Sequence, residues 1–356
     1  MLNFDVFFEN SPFAFNQMQK ESYFFPAIKT LHQSHLQNCP EFEKISSLIG
    51  NEDLRQVEDL PFIPVRLFKD FDLLSIDKSE IRKTMTSSGT SGGSPSKIYL
   101  NSETAQLQTK VLTKIVNSYI GTKRLPMLII DSKSVLKDRN NFSARGAGIL
   151  GFSMFGYDIH YALDDDMNID IEQINEFLQK HEHEQILIFG FTFVVFENFI
   201  KKLKASNTKL KLNNSLLIHG GGWKKLAENA IDNSSFKALI KEWSGISRVF
   251  NYYGLVEQTG SIFMECENEN LHASIYSDII FRKPEDFSVC EIGQEGIVQL
   301  LSLLPHSYPG HSILTEDIGK LVGVDTCPCG RKGKYFKIFG RIKNAEIRGC
   351  SDTIQK

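Results

Sequence analysis

The chain has 356 residues, with 40 Lys+Arg against 43 Asp+Glu and a formal net charge of −3, so it can form one large domain with subdomains, or two domains. A balance this close to zero offers no electrostatic footprint for nucleic acid or an anionic membrane surface. Residues 1–5 lack a basic stretch leading into an apolar run, and no window approaches 18 uninterrupted apolar residues, which points to a cytoplasmic protein with no integral membrane segment.

In chain order, residues 13–49 mix apolar and polar positions at helical spacings and are punctuated by Pro26 and Pro40, which predicts an entry of short helices. Leu60 to Phe68 is Pro-restricted and apolar, an extended lead-in that packs. Between Thr86 and Ser96 every residue is Ser, Thr, Gly or Pro, followed by Lys97 and the strand-like Ile98-Tyr99-Leu100. Glycines turn backbone N–H groups toward an anion, hydroxyls add donors and Lys97 adds charge, so the run reads as a phosphate-binding loop pinned to a sheet. The competing reading is a flexible linker, and the run does not satisfy the Walker A pattern.

Ser102 is placed to cap a helix whose buried face is Leu107, Val111, Leu112, Ile115, Val116 and Tyr119. Strands at Pro126–Asp131, Ile186–Gly190, Ser215–His219 and Arg248–Gly254 then alternate with helices near 171–178, 193–203 and 227–243. This alternation predicts an α/β fold with a parallel sheet covered by helices. Past Gly260 the pattern shifts to short runs at 273–281 and 296–304, a small antiparallel β subdomain. The expected domain divisions are a helical entry at 1–80, an α/β nucleotide-binding core at 81–265, the β subdomain at 266–340, and a short tail at 341–356.

Two predicted strands end in chemistry, and ligands of open parallel sheets sit beyond such ends. His219 is followed by Gly220, Gly221 and Gly222, which suit either a backbone lying flat on a planar ligand or a tight strand-to-helix turn. Asn251-Tyr252-Tyr253-Gly254-Leu255-Val256-Glu257 offers a stacking ring in Tyr253 and a divalent-cation ligand in Glu257, or else a core aromatic and a solvated acid. Asp317 and Arg341 follow, an acid and an arginine near turns.

In this order the motifs resemble the adenylate-forming superfamily. The resemblance implies that Ser87, Ser88, Gly89, Thr90, Ser91, Gly92, Gly93 and Lys97 hold the phosphates of ATP, and that Gly220 to Gly222 form the adenine wall beside Tyr253 and Gly254. It further implies Glu257 as the Mg²⁺ ligand, Asp317 on the ribose hydroxyls and Arg341 beside it at the hinge. Cys327-Pro328-Cys329-Gly330-Arg331 with Gly340-Arg341 looks like the phenylacetate-CoA ligase branch. Gly220-Gly221-Gly222-Trp223-Lys224 and Arg348-Gly349-Cys350-Ser351 narrow this to a resemblance with the LuxE-type acyl-protein synthetases. That family activates a fatty acid and carries the acyl group as a thioester on a cysteine near the C-terminus, here Cys350, for delivery to a LuxC-like acyl reductase or another acyl-accepting enzyme. Arg348 nearby would favour its thiolate.

The chain departs from most adenylate-forming enzymes in having only fifteen residues after Arg341 where a catalytic-lysine domain would stand, and Asn344 at the usual hinge aspartate. Lys97, Lys343 or another cation would then act in place of that lysine. The remaining alternatives are an acyl- or aryl-CoA ligase using free coenzyme A, and a non-catalytic nucleotide- or acyl-binding subunit.

The six cysteines, Cys39, Cys266, Cys290, Cys327, Cys329 and Cys350, are too thinly spread for a disulfide framework. Cys327 and Cys329 are one residue closer than common zinc knuckles and lack an evident second pair, which Cys350 or His311 would have to supply; the alternative is a structural turn. His219, His306 and His311 read as ordinary polar or core residues.

Overall fold

The computed structural model describes residues 4–49, 53–87, 95–136, 144–222 and 231–342. Its strands, in chain order, are β1 Ile63–Pro64, β2 Lys83–Thr86, β3 Lys97–Leu100, β4 Leu125–Ser132, β5 Gly156–Leu163, β6 Ile186–Phe191, β7 Ser215–Gly220, β8 Arg248–Tyr253, β9 Phe263–Glu265, β10 Leu271–His272, β11 Ser277–Arg282, β12 Glu295–Ser302, β13 Ser312–Val324 and β14 Lys334–Arg341. The described residues form two compact units. One draws on 4–87, 95–119 and 253–342, and the other on 120–252.

The second unit is a parallel sheet in the order β5-β4-β6-β7-β8. Every residue of β6 and β7 is buried, the near-continuous apolar pattern of strands covered on both faces. Helices Ile171–Lys180, Thr192–Val194 continuing through a π-helical turn to Lys201–Ala205, and Asn233–Ser244 supply cover where the spacing predicts it. The helix Ala144–Ser153 and the edge strand β5 are additions to the expected pattern. β5 mixes Asp158 and His160 among apolar residues and has a half-buried or exposed middle from Tyr157 to Tyr161, so it carries no apolar run.

In the first unit β11-β12-β13-β14-β10-β9 form an antiparallel array with β1 added parallel to β13. β2 and β3 make a separate hairpin. Three expectations are corrected here. Pro26 lies inside one continuous helix, Gln17–Asn38. A capping box between Asn16 and Gln19 starts that helix, and a buried face of Phe24, Ile28, Leu31, His32 and His35 holds it despite the backbone bond that proline removes. Asn101, not Ser102, caps Ser102–Ile120, because its Oδ1 accepts the N–H of Thr104 at 2.9 Å. Asp317 stands within β13 rather than near a turn, and Arg341 is the last residue of β14. No helix among the described residues is long and apolar enough to cross a membrane.

Candidate active site

The hairpin β2–β3 pairs Thr86 with Lys97, and its mouth is closed one step further out. Ser87 donates its N–H to the Ser96 carbonyl at 3.0 Å, and the Ser96 N–H returns a bond to Ser87 Oγ at 2.9 Å. The hairpin therefore delivers the Ser/Thr/Gly run from a fixed base, with Lys97 exposed on it. Ser88, Gly89, Thr90, Ser91, Gly92 and Gly93 lie outside the described residues, as do Trp223, Lys224, Lys343, Asn344, Arg348 and Cys350.

Beneath the hairpin, Met85, Ile98 and Leu100 share a core cluster with Leu255, Val256 and Tyr308. This packing sets the short 3-10 turn Val256–Gln258 against the strand that begins at Lys97. The turn is anchored twice: Tyr308 donates its hydroxyl to the Glu257 carbonyl at 2.9 Å, and Gln258 Nε2 donates to the carbonyls of Gly310 at 2.8 Å and Leu300 at 3.1 Å. Glu257 itself is almost wholly buried. A carboxylate is the hard oxygen donor that Mg²⁺ takes, and burial of a charge is tolerated when a counter-charge compensates it.

Three predicted residues meet in the first unit. β13 and β14 place Asp317 directly opposite Arg341, with Arg341 Nε 3.7 Å from Asp317 Oδ1. Tyr253, at the end of β8, donates its hydroxyl to Asp317 Oδ2 at 2.6 Å. Burial and the adjacent carboxylate push its phenol well above the ordinary range, so it stays a donor. Its ring is half-buried against Phe263, centroid to centroid 6.2 Å. Thr315, which sequence reasoning passed over as a site residue, sets the carboxylate in place: its Oγ1 donates to the Val298 carbonyl at 2.9 Å and accepts the Asp317 N–H at 3.0 Å. The Thr315-Glu316-Asp317 order was the available signal, since a hydroxyl two residues before an acid can bond its backbone.

Gly220, Gly221 and Gly222 lie in the second unit at the end of β7. A Cβ on Gly220 would fall 2.3 Å from the Tyr252 ring, and Gly221 has φ +81°, so both positions exclude larger residues. Thr192 Oγ1 donates to the Gly220 carbonyl at 3.1 Å and, its one proton spent, accepts from His219 Nδ1 at 2.9 Å. His219 is buried, which lowers its pKa to about 3 and keeps it neutral in this role. His311 is elsewhere, in a buried group with His32 and His35, its Nε2 2.9 Å from His32 Nδ1. His306 is half-buried beside Phe4.

The family model described as acyl-protein synthetase, LuxE, matches residues 3–356. The long-chain-fatty-acid–luciferin-component ligase of Vibrio harveyi is 21% identical over 98% of this chain and 91% of its own length. The protein of the same name from Aliivibrio fischeri is 22% identical over 86% of this chain and 82% of its own. Among solved structures, an open conformation of 2-hydroxyisobutyryl-CoA ligase in complex with 2-HIB-AMP and CoA superposes with a TM-score of 0.70 at 14% identity. It covers 92% of this chain and 76% of that one. That likeness shows the fold, an adenylate-forming ligase fold.

Proposed function

The chain belongs to the acyl-protein synthetase family and is a ligase, and on that premise we propose that it activates a long-chain fatty acid with ATP and carries the acyl group on its own Cys350. One carboxylate oxygen of the acid attacks the α-phosphorus of ATP, the bond to the bridging oxygen breaks, and acyl-adenylate and pyrophosphate result. The Cys350 thiolate, its proton lost to solvent, then attacks the acyl carbon and AMP leaves. The thioester passes to an acyl reductase or acyltransferase in the cytoplasm.

The observation that carries this reading is the convergence of Tyr253 and Arg341 on Asp317. A carboxylate held by a phenol, a guanidinium and the Thr315 relay is preorganised to accept the two ribose hydroxyls. Glu257 would hold Mg²⁺, which supplies charge neutralisation on the phosphates. Ser87 and the run that follows it, with Lys97, would bind the phosphate oxygens through N–H, hydroxyl and ammonium donors, each charge-assisted bond contributing roughly 1.5–3 kcal/mol. Gly220 to Gly222 would leave a flat backbone wall for the adenine.

The test is ATP–pyrophosphate exchange with the purified full chain. Exchange that requires a long-chain fatty acid supports the activation step, and its absence with every acid tried, despite ATP binding, points to a non-catalytic subunit. Formation of soluble acyl-CoA on addition of coenzyme A, without acylated protein, would identify a CoA ligase instead.

A further inference from the structure

Away from the site above, four side chains of the first unit converge with no role in the proposed chemistry. Cys266, His272, Cys327 and Cys329 place one Sγ or ring nitrogen each within 4.8 Å of all the others. Cys266 Sγ and Cys327 Sγ are 3.7 Å apart, and Cys329 Sγ is 3.4 Å from His272 Nε2. In a tetrahedral zinc shell, with Zn–S about 2.3 Å and Zn–N about 2.0–2.1 Å, neighbouring sulfurs are roughly 3.8 Å apart and sulfur and nitrogen roughly 3.5 Å. These two separations match those edges, and the sulfur pair is well beyond the bonding distance of a disulfide, about 2.05 Å.

The backbone is built for the arrangement. Cys266 opens the turn between β9 and β10, its N–H bonded to the Asn270 carbonyl at 2.8 Å, and His272 follows on β10. Cys327 and Cys329 sit in the turn between β13 and β14, closed by the Gly330 N–H on the Cys327 carbonyl at 3.0 Å, with Gly330 at φ +83°. Two turns thus present thiols to one point, as knuckles do. Asn270 Nδ2 donates toward Cys327 Sγ at 3.7 Å, and Arg331, paired with Glu267 at 2.7 Å, stands beside Cys329. His272 is fully buried, and its Nδ1 has no hydrogen-bond partner among the described residues, so its polar anchor is the thiol cluster.

We propose that Cys266, His272, Cys327 and Cys329 form a structural zinc site that clamps the β9–β10 turn to the β13–β14 turn. Binding forms three Zn–S bonds and one Zn–N bond and releases three thiol protons, while the imidazole binds as the neutral ring. The resulting Cys₃His shell carries one net negative charge, which the Arg331 guanidinium offsets. The shell is closed, so the metal acts on folding rather than on catalysis. Of the two residues named to complete a site around Cys327 and Cys329, His311 packs instead with His32 and His35 and Cys350 lies outside the described residues, while Cys266 and His272 stand beside the two thiols. The pair escaped notice in the sequence because its spacing, five residues between a cysteine and a histidine, matches no common knuckle.

The test uses the full chain, made in zinc-supplemented medium, dialysed and assayed for metal. The expected result is about one zinc per chain, with replacement by Co²⁺ giving thiolate charge-transfer bands and the intense visible bands of a tetrahedral site. Cys327→Ser and His272→Ala should fall to background zinc, while Cys39→Ser and Cys290→Ser keep it. Should the ligand variants fail to fold, thiol counting on the wild type decides: three more cysteines should react with a thiol reagent after chelation than before. A folded wild type that binds neither added Zn²⁺ nor Co²⁺, or a cobalt spectrum unchanged by Cys327→Ser, overturns the proposal.

Discussion

The hydroxyl of Tyr253 donates to Asp317 at 2.6 Å, on a carboxylate that the strand register also sets opposite Arg341. If that carboxylate anchors the ribose, Asp317→Ala should lower kcat/KM for ATP in pyrophosphate exchange by roughly tenfold to a hundredfold, the range of one or two charge-assisted hydrogen bonds. Tyr253→Phe keeps the ring and should cost less, about tenfold at most. Equal exchange by Asp317→Ala and wild type would remove Asp317 from the site.

Glu257→Gln removes the charge while keeping the shape of a buried side chain. Exchange should fall and recover in part as Mg²⁺ is raised, since a neutral amide is a poorer ligand for a hard cation. An unchanged Mg²⁺ dependence would count against the assignment.

Lys97 is exposed at the start of β3, so Lys97→Ala should leave the thermal midpoint within about a degree or two while abolishing exchange. Wild-type exchange in that variant would return the Ser/Thr/Gly run to the status of a linker.

Asp278 is buried with two ammonium groups, Lys20 at 3.2 Å and Lys334 at 3.3 Å, and takes a bond from Gln17 at 3.1 Å. Burial alone would raise its pKa, but the two lysines outweigh it and hold the carboxyl below its ordinary range. Asp278→Ala leaves the buried Lys20 without its acid and Lys334 with Glu58 at 3.6 Å, and should cost roughly 3–5 kcal/mol in urea unfolding. A loss under about 1 kcal/mol would show that water or relaxation compensates.

Burial lowers His32 to about 4, His35 and His219 to about 3, and His311 well below its ordinary value. The unfolded chain takes up protons on these rings below pH about 6.5 while the folded chain does not, so their neutral burial favours folding above that pH and is lost as pH falls toward 3–4. Each ring contributes a slope of about 1.4 kcal/mol per pH unit in that window. Urea midpoints should therefore drop steeply between pH 6.5 and 5 and change little between 7 and 8; a flat midpoint down to pH 5 would contradict the burial.

The parallel half of the fold is legible because β4, β6 and β7 are buried on both faces and read as uninterrupted apolar runs. β5 is not, since an edge strand shares its residues with solvent and Asp158 and His160 break the run. β13 and β14 escape for a related reason: Gly319 and Gly323 sit at register shifts, and Glu316, Asp317 and Lys320 break the apolar pattern of β13. The order of Ser87, Gly220, Tyr253, Glu257, Asp317 and Arg341 along the chain was readable as a resemblance. The resemblance also sets Arg341 beside Asp317, but the register that makes them direct partners across β13 and β14 was not legible, because it follows from strand pairing over the whole length of β13. The Cys266–His272 half of the thiol cluster is likewise a product of tertiary structure, since the two turns that meet there lie far apart in sequence.

The most direct measurement incubates the full chain with ATP, Mg²⁺ and labelled tetradecanoate, then follows covalent label on wild type and Cys350→Ser. Label that appears on the wild type, is released by hydroxylamine and is absent from Cys350→Ser, with pyrophosphate exchange intact in both, is the expected result. Label that persists in Cys350→Ser would contradict the acceptor role of Cys350.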